Sequence, residues 1–339
     1  MSDLTKITNQ KDGSAFPQAA GDTILRAALR AGVGLAYECN SGGCGGCKFE
    51  LIDGDIENLW PDAPALSERD KKRGRHLACQ CRACGDITIA APSANEYVPQ
   101  RPPRRQSARL VATQDITHDI REFRFTATEG ADFLPGQFAM LDLPGVTGSR
   151  AYSLSNTPNA EREWHFQIRR VPHGQGTHAL FDKLAVGDEI GLDGPYGLAH
   201  LRTDSPRDLV CVAGGSGLAP MVSIARGAVE AGMLGARTLY FFYGARTPRD
   251  VCGETMLREL EGFGERIRFI PVVSLPGEEG EWTGATGYVH DQLAHVLPGT
   301  FADCEFYFAG PPPMTQALQE LLMIGHKVPF GQIHFDRFF

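Results

Sequence analysis

Several things are missing from this 339-residue sequence, and each absence excludes something. No apolar run approaches the roughly 18 residues that a membrane-spanning helix needs. Positive charge is scarce: 33 Lys and Arg stand against 41 Asp and Glu, a net charge of −8. Such a chain lacks the basic surface that displaces counterions from nucleic acid, and anionic membrane faces repel it. Nine cysteines form an odd set, which argues against a disulfide framework. The polar opening MSDLTKITNQKDGS offers no secretory apolar region, so a cytoplasmic protein is expected. The ten histidines show no His-x-x-x-His spacing, and there is no fixed-period repeat or low-complexity tract.

What remains is ordinary globular composition, 42% hydrophobic and 22% charged, in a chain longer than one core usually serves. Three segments emerge. Residues 1–98 hold six of the nine cysteines: Cys39, Cys44, Cys47, Cys79, Cys81 and Cys84. In this segment Asp22 can cap a short helix with Ile24, Leu25, Ala28 and Leu29 on one stripe and Gly32 as its stop. The proline- and arginine-rich stretch around 99–106 reads as a semi-rigid linker. Residues 107–203 alternate as strands do (Phe123 and Phe125; Trp164, Phe166 and Ile168), and about six strands without a long helix predict a small antiparallel barrel. In 206–339 the apolar runs LVCVA, LYFFY, IRFIPVV, FYFAG and IHF are spaced by helix-length segments, which predicts a parallel sheet covered on both faces.

The cysteines Cys39, Cys44 and Cys47 form C-x4-C-x2-C, followed at a distance by LACQCRAC. This is the plant-type spacing for a [2Fe–2S] cluster. Gly42, Gly43, Gly45 and Gly46 let the loop curl, so that backbone N–H groups face the cluster's sulfur and stabilise its negative charge. Paired zinc sites favour two C-x2-C pairs and lack such a loop. For the fourth ligand the sequence offers Cys79, Cys81 and Cys84, and the latter two read as spare thiols. Cys211, Cys252 and Cys304 read as small residues in or beside strands.

Two further constellations suit a nucleotide. Arg150, Tyr152 and Ser153 lie on one predicted barrel strand, offering a donor fork for phosphate, a flat ring face and a small hydroxyl. Downstream, Gly174, Gly176 and Thr177 precede a predicted helix, an arrangement that suits a pyrophosphate. Farther along, Gly214, Gly215, Ser216 and Gly217 form a turn between a strand and a helix that Pro220 is expected to start. The string is not G-x-G-x-x-G, so context carries the reading. That turn, Arg246 after the second strand, and Gly310 and Pro311 after the fourth all fall at strand C-terminal ends, where open α/β sheets bind ligands.

With RAYS, GGSGLAPM and AGPPPM in this order behind a plant-type thiol loop, the whole chain resembles the ferredoxin–NADP reductase superfamily. More narrowly it resembles the three-domain NADH reductases of bacterial multicomponent oxygenases. ECNSGGCGGCK, NLWPDAPAL (58–66), LACQC and the terminal KVPFGQIHFDRFF resemble the reductase of toluene/o-xylene-type soluble di-iron monooxygenases. The resemblance implies a β-grasp ferredoxin domain, a six-stranded FAD barrel and a parallel-sheet NAD domain. It implies that Arg150, Tyr152 and Ser153 contact FAD, with Tyr152 and Ser153 at its reactive ring, and that Gly176 and Thr177 meet the pyrophosphate. The 214–217 turn and Arg246 go to NADH, in preference to NADPH, and Cys79 becomes the fourth cluster ligand. Many relatives carry cysteine where this chain has Ala309, which puts a thiol role in hydride transfer in doubt. Phe335, Phe338 and Phe339 either cover the flavin or pack against the barrel.

A hydride donor gives two electrons and an iron–sulfur cluster takes one, so the flavin must stand between them. The resemblance implies a Rieske-type ferredoxin as acceptor, feeding a di-iron hydroxylase, with direct transfer to a terminal oxygenase as the other route. A monomer is expected. The run Glu50, Asp53, Asp55, Glu57, Asp62 reads either as a guide for that partner or as a solvated acidic face. Two other classes compete: the reductase of a Rieske ring-hydroxylating dioxygenase, and a flavin/iron–sulfur redox sensor without turnover.

Overall fold

The computed structural model describes residues 4–278, 281–297 and 301–338. The chain divides into two compact units, Met1–Arg105 with Asp193–Tyr196, and Gln106–Leu192 with Gly197–Phe339.

In the first unit, β1 (Thr5–Asn9) and β2 (Ala15–Gln18) form a hairpin and lead to α1 (Ile24–Arg30). Then come β3 (Lys48–Asp53), β4 (Ile56–Asn58), α2 (Glu68–Lys72), β5 (Arg75–Leu77), β6 (Cys81–Ala83) and β7 (Ile87–Ala90). The five-stranded sheet has the order β2-β1-β7-β3-β5, with β1 and β7 parallel and the other pairs antiparallel. β4 and β6 make a separate ribbon. A mixed sheet crossed by one helix is the expected β-grasp arrangement. α1 buries Ile24, Leu25, Ala27, Ala28 and Leu29, but its cap is Thr23, whose side chain accepts from the Arg26 backbone N–H at 3.4 Å. The Asp22 carboxylate is engaged elsewhere, by Arg30 at 3.0 Å and Arg105 at 2.9 Å.

Next comes a barrel, most of it in the second unit, of β8 (Arg104–Asp115), β9 (Ile120–Ala127), β10 (Phe138–Asp142), β11 (Arg150–Ser153), β12 (Glu163–Arg169), α3 (Gln175–His178) and β13 (Glu189–Tyr196). Thus β8 takes up Arg104, Arg105 and Gln106, which the sequence assigns to a linker. The strand order is β11-β10-β13-β8-β9-β12. A bridge between Leu154 and Phe166 joins the two ends. β10–β11, β8–β9 and β9–β12 are antiparallel. The alternating Phe123, Phe125, Trp164 and Phe166 meet inside, burying a large aromatic area each.

The remaining elements are β14 (Asp208–Gly214), α4 (Leu218–Glu230), β15 (Leu239–Ala245), α5 (Glu254–Arg258), β16 (Ile267–Val273), β17 (Ala285–Thr286), α6 (Val289–Val296), β18 (Cys304–Gly310), α7 (Pro312–Gln319) and β19 (Ile333–Arg337). Their parallel sheet has the order β17-β16-β15-β14-β18-β19. The strand residues divide by parity. Leu209, Cys211, Ala213, Phe241 and Tyr243 pack with α4 on one face, while Val210, Val212, Phe242, Phe306 and Phe308 pack with α6 and α7 on the other. Burial on both faces is why these strands read as continuous apolar runs. α4 starts at Leu218, two residues before Pro220. The Ser223 hydroxyl of α4 donates to the Asn156 carbonyl at 2.7 Å and accepts from Gly136 N at 3.2 Å. These bonds join the barrel to the helix that covers the parallel sheet. Among the described residues, no helix is long and apolar enough to cross a membrane.

Candidate functional site

Cys39, Cys44 and Cys47 lie on the loop between α1 and β3, and Cys79 lies on the 3-10 turn Ala78–Gln80. Strand pairing closes the distance between them. β3 and β5 register Lys48 with Leu77, and Ala78 N donates to Cys47 O at 2.9 Å. The four thiols act on one another as a group: Cys39 with Cys44, Cys47 with Cys79, and Cys44 also with Cys47. The bond from Cys44 pulls the Cys39 thiol down to about 5 against the cost of burial. A single tetrahedral zinc would draw all four sulfurs to within about 3.8 Å of one another. Among the described residues, the one trio of ligand-type side chains within 4.8 Å is His118, Asp119 and Asp250, so these sulfurs do not converge on one point.

Two pairs fit a centre with two metal ions. The loop's N–H groups already face sulfur: Ser41 N and Cys44 N each lie 3.4 Å from Cys39 Sγ, and Gly46 N lies 3.3 Å from Cys44 Sγ. Asn40 turns the chain at a φ of +51°, and neither its buried carboxamide oxygen nor nitrogen has a protein partner. An orphaned amide beside Cys39 fits a site completed by a bound group. Cys81 is buried on β6, its thiol raised to about 12 by burial and then by Cys79, whereas Cys84 is exposed. Cys211 and Cys304 are buried in β14 and β18, and half-buried Cys252 donates to Tyr243 Oη at 3.1 Å.

On the barrel, β11 carries Arg150, Tyr152 and Ser153, paired with Leu141, Ala139 and Phe138 of β10. α3 begins at Gln175, so Gly176 and Thr177 lie within its first turn, not ahead of it. A Cβ on Gly176 would fall 2.8 Å from Tyr152 Oη and 3.1 Å from Arg150 Cγ. The fold therefore brings Arg150, Tyr152 and Gly176 together in a cradle without side-chain bulk. Arg150 Nη1 donates to the carbonyls of Thr147 at 3.0 Å and Gly148 at 3.1 Å. Burial raises the Tyr152 phenol to about 12, so it stays protonated. The Thr177 hydroxyl is occupied, bonding Gly174 O at 3.1 Å and both backbone groups of Val171 at 3.2 Å. Gly174 and Thr177 thus brace the loop while Gly176 faces the cradle.

The 214–217 turn sits at the C-terminal end of β14, with Gly214 level with Gly244 and Ala213 level with Ala309. A Cβ on Gly217 would fall 1.9 Å from the Ala309 carbonyl oxygen, so only glycine lets this turn close on β18. Gly214 similarly lies against Pro311 and Met314, which joins the turn to Gly310 and Pro311. Ser216 is half-buried within the turn, and exposed Arg246 follows β15.

Arg169, at the end of β12, is the residue that sequence reasoning missed. Its Nη1 lies 3.4 Å from where a Gly215 Cβ would be, and Asp119 holds its Nε at 2.6 Å. A braced guanidinium over a glycine turn suits a phosphate. Nothing in the spacing of QIRRV signals it, because the approach depends on the barrel closing against the turn. The described C-terminal aromatics pack on the parallel sheet. Phe335 stacks on Phe308 at 5.2 Å inside the nucleotide sheet's core. Phe338 packs against that sheet's other face, its N–H donating to Gly310 O at 3.1 Å. Phe339 lies outside the described residues.

Comparisons agree with this layout. Residues 7–84 match the 2Fe-2S iron-sulfur cluster binding domain, residues 107–201 the oxidoreductase FAD-binding domain and residues 211–320 the oxidoreductase NAD-binding domain. The chain is 39% identical to the ferredoxin–NAD(P)+ reductase CarAd of Metapseudomonas resinovorans over 98% of its length and 99% of the relative's. It is 40% identical to the ferredoxin–NAD+ reductase component of the alkene monooxygenase system of Xanthobacter autotrophicus, covering 96% of this chain and 98% of that one. Among solved structures, the ferredoxin reductase in carbazole 1,9a-dioxygenase superposes with a TM-score of 0.90 at 36% identity, over 99% of this chain and 98% of the other.

Proposed function

Because the chain belongs to the ferredoxin–NAD(P)+ reductase components of multicomponent oxygenase systems, we propose that it oxidises NADH and delivers single electrons to a Rieske-type ferredoxin that feeds a di-iron hydroxylase. It is an oxidoreductase with [2Fe–2S]-, FAD- and NAD(P)-binding domains. The paired arrangement of the four cysteines carries the reading, since it is a binuclear donor set on the same chain as a phosphate-type turn.

FAD, when bound, supplies the step between a two-electron donor and a one-electron acceptor. The chain's own residues bind and orient. Residues 1–98 hold the cluster through Cys39, Cys44, Cys47 and Cys79; residues 107–203 hold the flavin; residues 206–339 hold the dinucleotide. With the flavin bound, Arg150 would offer its fork to a phosphate, Tyr152 its ring face and Ser153 its hydroxyl to the ring system. Gly176 admits the pyrophosphate, with Gly174 and Thr177 shaping its loop. Gly214, Gly215, Ser216 and Gly217 receive the NADH phosphates under Arg169, with Gly310 and Pro311 beside them. Arg246 meets the adenosine half. The enzyme works as a cytoplasmic monomer.

The 39% identity to the CarAd reductase, with the close superposition on the carbazole 1,9a-dioxygenase reductase, favours one second reading, service to a dioxygenase system. Mixing the enzyme and NADH with a Rieske ferredoxin, or with a terminal oxygenase alone, separates the routes. The proposal expects rapid ferredoxin reduction, slow direct oxygenase reduction and a higher kcat/KM with NADH than with NADPH. Failure to reduce any one-electron acceptor leaves the sensor reading standing.

A further inference from the structure

Trp60 sits 43% exposed, an uncommon cost for a side chain of this apolar area. Its backbone is pinned at both sides to the cysteine loops. Leu59 N donates to Gln80 O at 2.8 Å, next to Cys79, and Ala65 N donates to Gly42 O at 3.3 Å, between Cys39 and Cys44. Trp60 N is fixed on Asn58 Oδ1 at 3.1 Å. The indole lies directly on the loop: a Cβ at Gly42 would be 3.1 Å from Trp60 Cε3. No side chain intervenes between this ring and the backbone linking Cys39 to Cys44. Pro61 and Pro64 are exposed beside it, while of the glycine loop's polar residues Asn40 is buried and Ser41 half-buried.

Most of the carboxylates named beside this knob are paired with bases. Lys71 bridges Asp62 at 3.1 Å and Glu68 at 3.2 Å, Arg82 meets Glu57 at 3.8 Å, and Arg75 meets Glu50 at 3.4 Å. Three of the five carboxylates in the acidic run, Glu50, Glu57 and Asp62, are therefore locally paired. Surface pairs add little stability, but they remove the net field that would steer a charged partner.

We propose that Trp60, with Pro61 and Pro64, is the docking surface for the one-electron acceptor protein, and that this partner meets it with an uncharged, apolar face rather than a charged one. The inference rests on the electron-delivery reading above. A rigid aromatic anchor of this kind is where binding energy concentrates. Its position on the cluster loop also keeps the acceptor within the short range that electron tunnelling requires.

The test uses the full holoenzyme with a Rieske ferredoxin as the probe. Trp60→Ala, and Trp60→Gln as a longer replacement, should raise KM for the ferredoxin about tenfold or more. Trp60→Phe should recover most of that loss. The rate at which NADH bleaches the cluster and the cluster's electron paramagnetic resonance spectrum should stay unchanged. Wild-type KM should vary less than about threefold between about 50 and 300 mM salt. An unchanged KM overturns the proposal. So does loss of the cluster or an altered spectrum, which makes Trp60 a cover, and so does slower cluster bleaching by NADH, which puts it on the electron entry route. A steep salt dependence overturns the neutral face. If the wild type does not reduce the ferredoxin at all while reducing a small-molecule acceptor, the functional reading fails and takes this inference with it.

Discussion

The 39–47 loop and the 214–217 turn are both dense in glycine, and glycine serves a different purpose in each. In the first, backbone N–H groups of Ser41, Cys44 and Gly46 lie 3.3–3.4 Å from cysteine sulfur, and a Cβ at Gly46 would meet nothing closer than 3.4 Å. In the second, a Cβ at Gly217 would lie 1.9 Å from the Ala309 carbonyl oxygen. In the first loop glycine lets the chain turn, with Gly42 and Gly45 at φ of +84° and +78°, so that N–H groups face sulfur; in the second it lets two strand ends touch. A glycine motif therefore does not announce its ligand. The contact partner decides whether the residue serves chemistry or packing.

The harshest test of the first region removes a ligand across the β3–β5 pairing. Cys79→Ser should abolish the cluster absorption and all transfer to protein acceptors, while flavin reduction by NADH survives; if Cys81→Ser does so instead, the pairing of sulfurs proposed above is wrong. For the second region, Gly217→Ala should cut NADH oxidation about 100-fold or more by moving the turn, with iron and flavin content retained. Arg169→Ala comes next. Losing one charge-assisted phosphate contact should raise KM for NADH about tenfold, leaving the oxidised flavin spectrum as it was.

Asp70 sharpens the comparison through stability. Lys48, directly after Cys47, holds its carboxylate at 2.8 Å; this bond, and next Ser67, keep the carboxyl well below its ordinary value of 3.8. A carboxyl depressed in the folded state stabilises above its unfolded pKa and loses that contribution as pH falls through its folded one. Asp70→Asn should thus bleach a few degrees earlier than wild type on heating at pH 7. The gap should shrink well below 3.8. The smallest effect belongs to Gly46→Ala, which should stay within about twofold of wild type in every rate, because no atom must move far.

The two regions also differ in what their sequence discloses. A contiguous string specifies three of the four cysteines by spacing alone, and the parallel strands read clearly because burial on both faces makes them continuously apolar. The fourth cysteine does not follow from spacing, since choosing among three thiols needs the register of Lys48 with Leu77. Asp22 carries a good capping side chain, yet Arg30 and Arg105 claim it and leave the cap to Thr23. The acidic run reads as a charged patch until its distant basic partners appear. Arg169 is invisible for the same reason: its role depends on a turn in a different sheet. Local pattern carries the thiol loop and the strands. What arises where separate chain segments meet is left to the fold.

The central claim is that one polypeptide accepts electrons in pairs and releases them singly. An anaerobic titration of the purified protein with NADH, followed by its visible spectrum, tests it most directly. Flavin and cluster bands should bleach together to an end point of about 1.5 NADH per chain, two electrons for the flavin and one for the cluster. An end point of about one NADH with only the flavin bleached, or a colourless protein that carries zinc, would contradict it.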